Sequence, residues 1–305
     1  MADAPDADVE VSAPLVSRLV AAQHPSFLGP IQAVAVGWDN AIFRLGEAWA
    51  VRMPRRALGD RNVRHEQRWL AEVAAALPPG IAAPVPVASG VPGEGYPYAW
   101  SITPWFEGDA AASVDPVDRA GIAEPLAEAI VALGRPAPPD APANPYRGVP
   151  LAARDDVVAE RLASGRLGRV VPTDAAALAE VWRDALAAPA WSGPARWVHG
   201  DPHPGNLLVA RGAGGGLRLA ALLDFGDLTS GDPATDLAAA WLVFDADGRA
   251  RFRRRVEELR STDAADWARA RGWALAMGSA IVDTVGVGGP IGRVGAHALR
   301  EVPAD

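Results

Sequence analysis

The sequence predicts an α+β fold, rich in strands over its first hundred residues and mainly helical from residue 108 onward. Three observations carry this. Short apolar, β-leaning runs at 31–36, 42–45 and 49–53 are broken by Gly37-Trp38-Asp39-Asn40 and by Gly46-Glu47, the pattern of a strand followed by a hairpin. Apolar stripes at helical spacing recur after Gly108. Between them, Trp197-Val198-His199-Gly200-Asp201-Pro202-His203-Pro204-Gly205-Asn206-Leu207-Leu208-Val209 carries two prolines and two glycines, which exclude a helix and leave a tight loop feeding a strand.

In chain order, Ser12 is placed to cap a short helix with Pro14 in its first turn and Leu15, Val16, Leu19 and Val20 inward. A helix is expected over 61–77 from Val63, Trp69, Leu70, Val73 and Leu77. The Pro- and Gly-rich stretch 78–97 and its flank offer strands at 85–88 and 98–103. Ile122, Leu126, Ile130 and Leu133 trace one helical stripe, with Pro125 in its first turn or at a kink. Residues 136–150 form a Pro-rich loop without periodicity, long enough for an insertion that shapes a pocket. Asp174 can cap a helix with Leu178, Val181, Trp182 and Leu186 inward. Strands at 207–210 and 217–223, joined by the turn 211–216, read as an antiparallel hairpin. Asp232-Pro233 starts a helix with Leu237, Trp241 and Phe244 on one face. Phe252, Val256 and Leu259 form a further stripe. Asp263 caps a last long helix burying Trp267, Trp273, Ala274, Met277 and Ile281, and the glycine-rich 286–292 ends it. No Lys-Ser/Thr follows those glycines, so they are not a phosphate loop. No internal repeat is visible.

At 305 residues the chain can bury a real core, as one large domain or two lobes about a cleft. All 29 basic residues are arginine, and the net charge of −8 argues against a general nucleic-acid binder. The absence of cysteine excludes disulfides, thiolate metal sites and thiol nucleophiles. Residues 1–10 are acidic and lack the apolar segment of a secretory leader, and no apolar run reaches 18 residues. A soluble cytoplasmic protein, with no membrane partner, is the expectation.

The hairpin brings the loop before its first strand and the Asp224-Phe225-Gly226 after its second to one end, so Asp201, Asn206 and Asp224 are expected to meet. Phosphoryl transfer needs phosphate charge neutralised and the attacking hydroxyl aligned, and protein kinases do this with an Asp, an Asn five residues later and the Asp of Asp-Phe-Gly. Asp201 and Asn206 keep that spacing. With Gly in His199-Gly200-Asp201 where protein kinases have Arg, followed by Gly231-Asp232-Pro233 and Asp236-Leu237-Ala238, the chain resembles the aminoglycoside phosphotransferase family of small-molecule kinases, roughly from Gly37 to Trp241.

That resemblance implies a two-lobed protein-kinase-like fold: an N-lobe over 1–103 with an N-terminal helix, a sheet and one main helix, a linker at 104–107, and a helical C-lobe over 108–305. It implies transfer of the γ-phosphoryl group of ATP or GTP to a hydroxyl of a small molecule. Asp201 would be the catalytic base or hydroxyl-orienting residue, and Asn206 and Asp224 would hold Mg²⁺. Arg52 stands in Trp49-Ala50-Val51-Arg52, where kinases carry Val-Ala-Ile-Lys, and would grip the α/β-phosphates with Glu66 orienting it. Asn40 lies in the segment that covers the nucleotide in such folds, and Trp105 and Phe106 border the adenine site or serve as core aromatics. His199 would order the loop and Asp236 brace it; His203 receives no role.

An aminoglycoside or other hydroxylated antibiotic is the leading acceptor class. Asp227, Asp232, Asp245 and Asp247 could give it an acidic pocket, whereas Trp241, Trp267 and Trp273 could line an apolar one for a macrolide. A sugar or choline-like alcohol is a further option. Two competitors stand beside these: a nucleotide-binding pseudoenzyme, suggested by Arg52, and a metal site built on the alternating His199, Asp201 and His203 with Asp224.

Overall fold

The computed structural model describes residues 6–212 and 214–305. The first five residues of the acidic N-terminus and Ala213 of the expected hairpin turn lie outside the described residues.

Helix α1 (Ala13–Gln23) buries Leu15, Val16, Leu19 and Val20, with Pro14 in its first turn, although the Ser12 side chain makes no capping bond. Strands β1 (Ile31–Val36), β2 (Asn40–Leu45) and β3 (Trp49–Pro54) follow. Helix α2 runs over Ala57–Ala74, one turn earlier than its apolar stripe suggests, because the polar first turn carries no hydrophobic signal. Strand β4 is Ala88–Gly90 rather than 85–88, since Pro84 and Pro86 have no N–H to give a ladder. Strand β5 (Trp100–Pro104) completes an antiparallel five-stranded sheet in the order β1-β2-β3-β5-β4. Phe43, Leu45, Val51, Met53, Trp100 and Ile102 of this sheet pack with α1 as a first core. On the edge strand β1, Val34 and Val36 stay exposed.

The α2 helix belongs to both halves. Its Trp69, Leu70 and Val73 pack into the second, larger core, where Trp69 meets Trp197 at 5.4 Å between ring centroids. Its Glu66 points back to the sheet.

The rest of the chain is mainly helical. Strand β6 (Asp109–Ala110) precedes α3 (Ala123–Leu133), α4 (Asp155–Ala163), α5 (Arg166–Val170) and α6 (Ala175–Ala187). Asp174 caps α6 by accepting from the N–H groups of Ala176 and Ala177. Strands β7 (Arg196–Val198), β8 (Leu207–Arg211), β9 (Leu217–Leu222) and β10 (Thr229–Gly231) follow, β8 and β9 forming the expected hairpin. The single helix expected after Asp232 is two short ones, α7 (Ala234–Leu237) and α8 (Ala239–Val243), and Phe244 is already extended. Then come α9 (Ala246–Leu259), α10 (Ala264–Val285) and α11 (Gly289–Glu301). Leu259 is 40% exposed, so it is not part of the inward stripe. Asp263 caps α10 through the Asp266 N–H, and Ile281 is only half-buried.

Helices α4, α5 and α11 were not foreseen. The α10–α11 contact uses small residues, a Cβ on Gly295 meeting Ile281 Cγ2 at 2.7 Å and one on Gly278 meeting Ala298 Cβ at 2.9 Å, while the glycine-rich 286–292 does end α10 and runs on into the first turn of α11. Trp241 and Trp273 are fully buried and Trp267 is 7% exposed; they build the core rather than line a macrolide pocket. Among the described residues no helix is long and apolar enough to cross a membrane.

Candidate active site

The loop from His199 to Asn206 is held at both ends. Strand β7 pairs antiparallel with β10, Val198 opposite Thr229, and the Leu223 N–H donates to Asn206 O at 2.8 Å. Two backbone amides at its start, His199 N and Gly200 N, donate to the buried carboxylate of Asp236 at 2.7 and 2.9 Å. Gly200 has φ +91°, and a Cβ there would lie 2.6 Å from Asp227 O, so only glycine fits. His199 Nδ1 accepts from the Asp201 N–H at 3.2 Å, which leaves the proton on Nε2, 3.1 Å from Leu223 O. Both ring nitrogens therefore tie the loop together.

The Asp201 carboxylate is half-buried and engaged on both oxygens. Asn206 Nδ2 donates to Oδ2 at 3.2 Å, His203 Nε2 lies 3.3 Å from the same oxygen, and Arg147 Nη2 lies 3.7 Å from Oδ1. Burial alone would raise its pKa, but His203 and Arg147 outweigh burial and hold it well below the usual carboxylate range. The Gly205 N–H donates to His203 Nδ1 at 2.9 Å, so the proton of neutral His203 sits on Nε2, facing Asp201. With both nitrogens of both histidines spent on the loop, the alternating His-Asp-His metal site is not assembled.

Asp224 adopts φ +55°, unusual for a residue with a Cβ, and its side chain is half-exposed. Its Oδ1 accepts from Arg52 Nη2 at 2.7 Å and from the Gly226 N–H at 3.2 Å. Desolvation opposes its ionisation, and the Arg52 guanidinium overcomes that to lower its pKa. Arg52 projects from β3 and reaches Glu66 of α2 with Nε at 3.3 Å. One guanidinium thus joins the sheet, α2 and the end of the β8–β9 hairpin. Glu66 is buried with Oε1 lacking a hydrogen bond; burial pushes its carboxyl up to about 7 despite Arg52.

The structure therefore brings Asp201, Asn206, Asp224, Arg52, Glu66, His199 and Asp236 into one connected cluster. Asn40, Trp105 and Phe106 make no hydrogen bond to it among the described residues. Asn40 opens β2, buried, with its Oδ1 unbonded. Trp105 donates from Nε1 to Glu107 Oε1 at 3.0 Å, and the Arg44 guanidinium lies 4.8 Å above its ring. Trp105 and Phe106 are half-buried, not core aromatics.

Arg147 was missed. It lies in the Pro-rich loop, donates from Nε to Gly200 O at 2.6 Å, and lies 3.6 Å from Asp227 as well as beside Asp201. No local signal announces it, because its partners are more than fifty residues away. The four-aspartate pocket is not assembled. Asp232 is 3% exposed and paired with Arg269 at 2.8 Å, Asp245 caps α9, and Asp227 is shared by Arg147 and Asn144.

The donor set fits a hard cation. Asn206 Oδ1 and Asp224 Oδ2 carry no hydrogen bond among the described residues, and both are oxygens of the kind Mg²⁺ prefers. No three His, Asp or Glu side chains among the described residues converge on a metal position, so an octahedron here needs phosphate oxygens and water for the rest.

The sequence matches the family described as "Phosphotransferase enzyme family" over residues 30–273. No curated protein sequence matches it. Among solved structures it is similar to wild-type aminoglycoside 2'-phosphotransferase-IIIa in its GDP complex, with TM-score 0.64 and 16% identity over 96% of this chain and 99% of that one. It is also similar to macrolide 2'-phosphotransferase MphH from Brachybacterium faecium, an apoenzyme, with TM-score 0.59 and 20% identity over 94% of this chain and 97% of that one. A third is the GDP and kanamycin complex of APH(2")-IIIa, with TM-score 0.61 and 15% identity over 88% and 90%. At these identities the likeness is one of fold, the two-lobed kinase-like fold.

Proposed function

The chain belongs to the phosphotransferase enzyme family, and from that membership we propose that it moves the γ-phosphoryl group of a nucleoside triphosphate, ATP in the first instance, to a hydroxyl of a small molecule. The observation that carries the proposal is the convergence of Asp201, Asn206 and Asp224 on one end of the β8–β9 hairpin, with Arg52 tied to Asp224 and Glu66.

Asp201 aligns the acceptor hydroxyl and accepts its proton as the oxygen bonds to phosphorus and the bond to the β-phosphate oxygen breaks, leaving the nucleoside diphosphate. Its lowered pKa makes it a weak base, so alignment is its larger contribution in a loose transition state. Arg52 grips the α/β-phosphates through a planar fork that Glu66 orients. Asn206 Oδ1 and Asp224 Oδ2 would hold Mg²⁺, which neutralises phosphate charge when bound. His199 and Asp236 fix the loop on which Asp201 sits. Asn40, Trp105 and Phe106 are assigned to the nucleotide's surroundings, with the N-lobe over 1–103, the linker over 104–107 and the C-lobe over 108–305. A cytoplasmic site of action, where nucleoside triphosphate is plentiful, goes with this reading. The named neighbours suggest a hydroxylated antibiotic, aminoglycoside or macrolide, as the first acceptors to test.

The test is nucleotide consumption with Mg²⁺ across aminoglycosides, macrolides, sugars, hydroxy acids and amino alcohols, with ATP and GTP in parallel. Turnover stimulated by one acceptor class is expected, and Asp201→Ala should abolish it while nucleotide still binds. Failure of the wild-type protein to bind either nucleotide overturns the proposal.

A further inference from the structure

A cavity of about 650 Å³ opens between residues 112–119 and α11, with Val170 and Val287 on its apolar side. No residue of the catalytic loop lines it, but the elements that form it touch that loop. The turn Ala111–Ser113 packs on the turn Pro204–Asn206, and a Cβ on Gly205 would lie 2.6 Å from Ile291 Cδ1 in the first turn of α11.

Its charged lining is unbalanced: Arg119, Arg293 and Arg300 face one carboxylate, Asp115, which is occupied in accepting from the Val117 N–H at 3.0 Å. His297, the remaining titratable group, is bonded to Phe244 O. Arg119 is the telling residue. Four arginines are buried among the described residues, and Arg52, Arg249 and Arg269 each pair with carboxylates. Arg119, 4% exposed, has none: Nε bonds Ala111 O and Val114 O, Nη1 bonds Val243 O, and Nη2 has no hydrogen-bond partner among the described residues. A guanidinium removed from water without a counter-charge is costly, and an anion in the cavity relieves that cost. Burial pulls its pKa down to about 10, and Asp115, the one carboxylate near enough to act on it, only partly offsets that.

We propose that this cavity binds an anionic group, a carboxylate or a phosphate, carried by the acceptor whose hydroxyl reaches Asp201. The inference rests on the phosphotransferase reading and narrows its substrate class. The valines accommodate an aliphatic portion beside the charge. The charge near the reacting centre agrees with it. Arg147 already occupies Asp201 and Asp227, so the loop does not present free carboxylates to a polycation such as an aminoglycoside.

Calorimetric titration of inorganic phosphate and, separately, of malonate tests this on protein saturated with Mg²⁺ and a non-hydrolysable ATP analogue, which fills the nucleotide's own phosphate positions. Arg293→Ala/Arg300→Ala is the variant, since both side chains are exposed and carry no structural bond. The expected result is binding of at least one anion, weakened about tenfold or more in the variant, with analogue affinity unchanged. Phosphate as the tighter ligand points to a phosphorylated acceptor, malonate to a hydroxy acid. Binding of neither anion, or equal binding by both proteins, overturns the proposal. Failure of the analogue itself to bind is a separate readout, and it is the phosphotransferase reading that then falls.

Discussion

Asp236→Asn is the most informative single change, because it alters one atom without touching Asp201. The carboxylate, 3% exposed, accepts from His199 N and Gly200 N, one on each oxygen. Asparagine keeps one acceptor and turns an N–H of its own toward the other amide. One charge-assisted bond is lost and one buried donor is left unpaired, together worth roughly 3–5 kcal/mol. Part is returned, because burial raises the Asp236 pKa and a neutral side chain no longer bears that desolvation. A net loss of about 3 kcal/mol, or a fall in Tm of about 5 °C for a chain of 305 residues, is expected. The released amides begin the segment that aims Asp201, and misplacement of a reacting group by about 1 Å costs about a hundredfold. Turnover should therefore fall 10- to 100-fold, by that same scaling, with KM for nucleotide unchanged because Arg52 and Glu66 are untouched. Urea unfolding and steady-state nucleotide consumption read the two effects. Stability within about 0.5 kcal/mol of wild type together with unchanged kcat would refute the brace.

Other changes probe the remaining contacts. Arg52→Lys keeps the charge but cannot span Glu66 and Asp224 with one fork, so KM for nucleotide should rise; an unchanged KM would mean that the fork is dispensable. Glu66 titrates near 7 in the folded chain against an ordinary 4.5, so its protonated form favours folding, a contribution complete below 4.5 and lost as pH rises through 7. Glu66→Gln removes that dependence, and its stability relative to wild type should grow from about pH 5 to about pH 8 in denaturant melts; no pH trend in the difference would refute the shifted carboxyl. Gly231→Ala would put a Cβ 1.9 Å from Gly148 O, where β10 meets the Arg147 loop, and should cost about 3 kcal/mol or more, measured by thermal melting; a native-like Tm would show that the two segments part easily.

What was legible in the sequence was local. The loop and the Asp-Phe-Gly fix each other across a short hairpin, so spacing alone told which side chains meet. Asp174 and Asp263 announced helix starts because a cap acts two or three residues on. Contacts that close over long chain distances left no such trace. Arg147 and Asp201 are 54 residues apart, and Asp232 read as a helix start or a pocket carboxylate, whereas its second task is a buried pair with Arg269, 37 residues on. Helix α11 was hidden by its composition: Gly289, Pro290 and Gly292 in its first turn continue the glycine-rich break that ends α10. The three tryptophans showed the converse, since helical spacing reveals an inward face but not whether that face meets a ligand or another helix.

Arg52 also acts as a shared counter-ion. The Nη2 that holds Asp224 belongs to the fork assigned to the phosphates, so seating a nucleotide there would exchange one anion for another on a guanidinium that never loses its charge. The carboxylate set free is the one assigned to Mg²⁺. On that assignment metal and nucleotide would be thermodynamically linked through one side chain: each would make room for the other, and neither should bind at full strength alone.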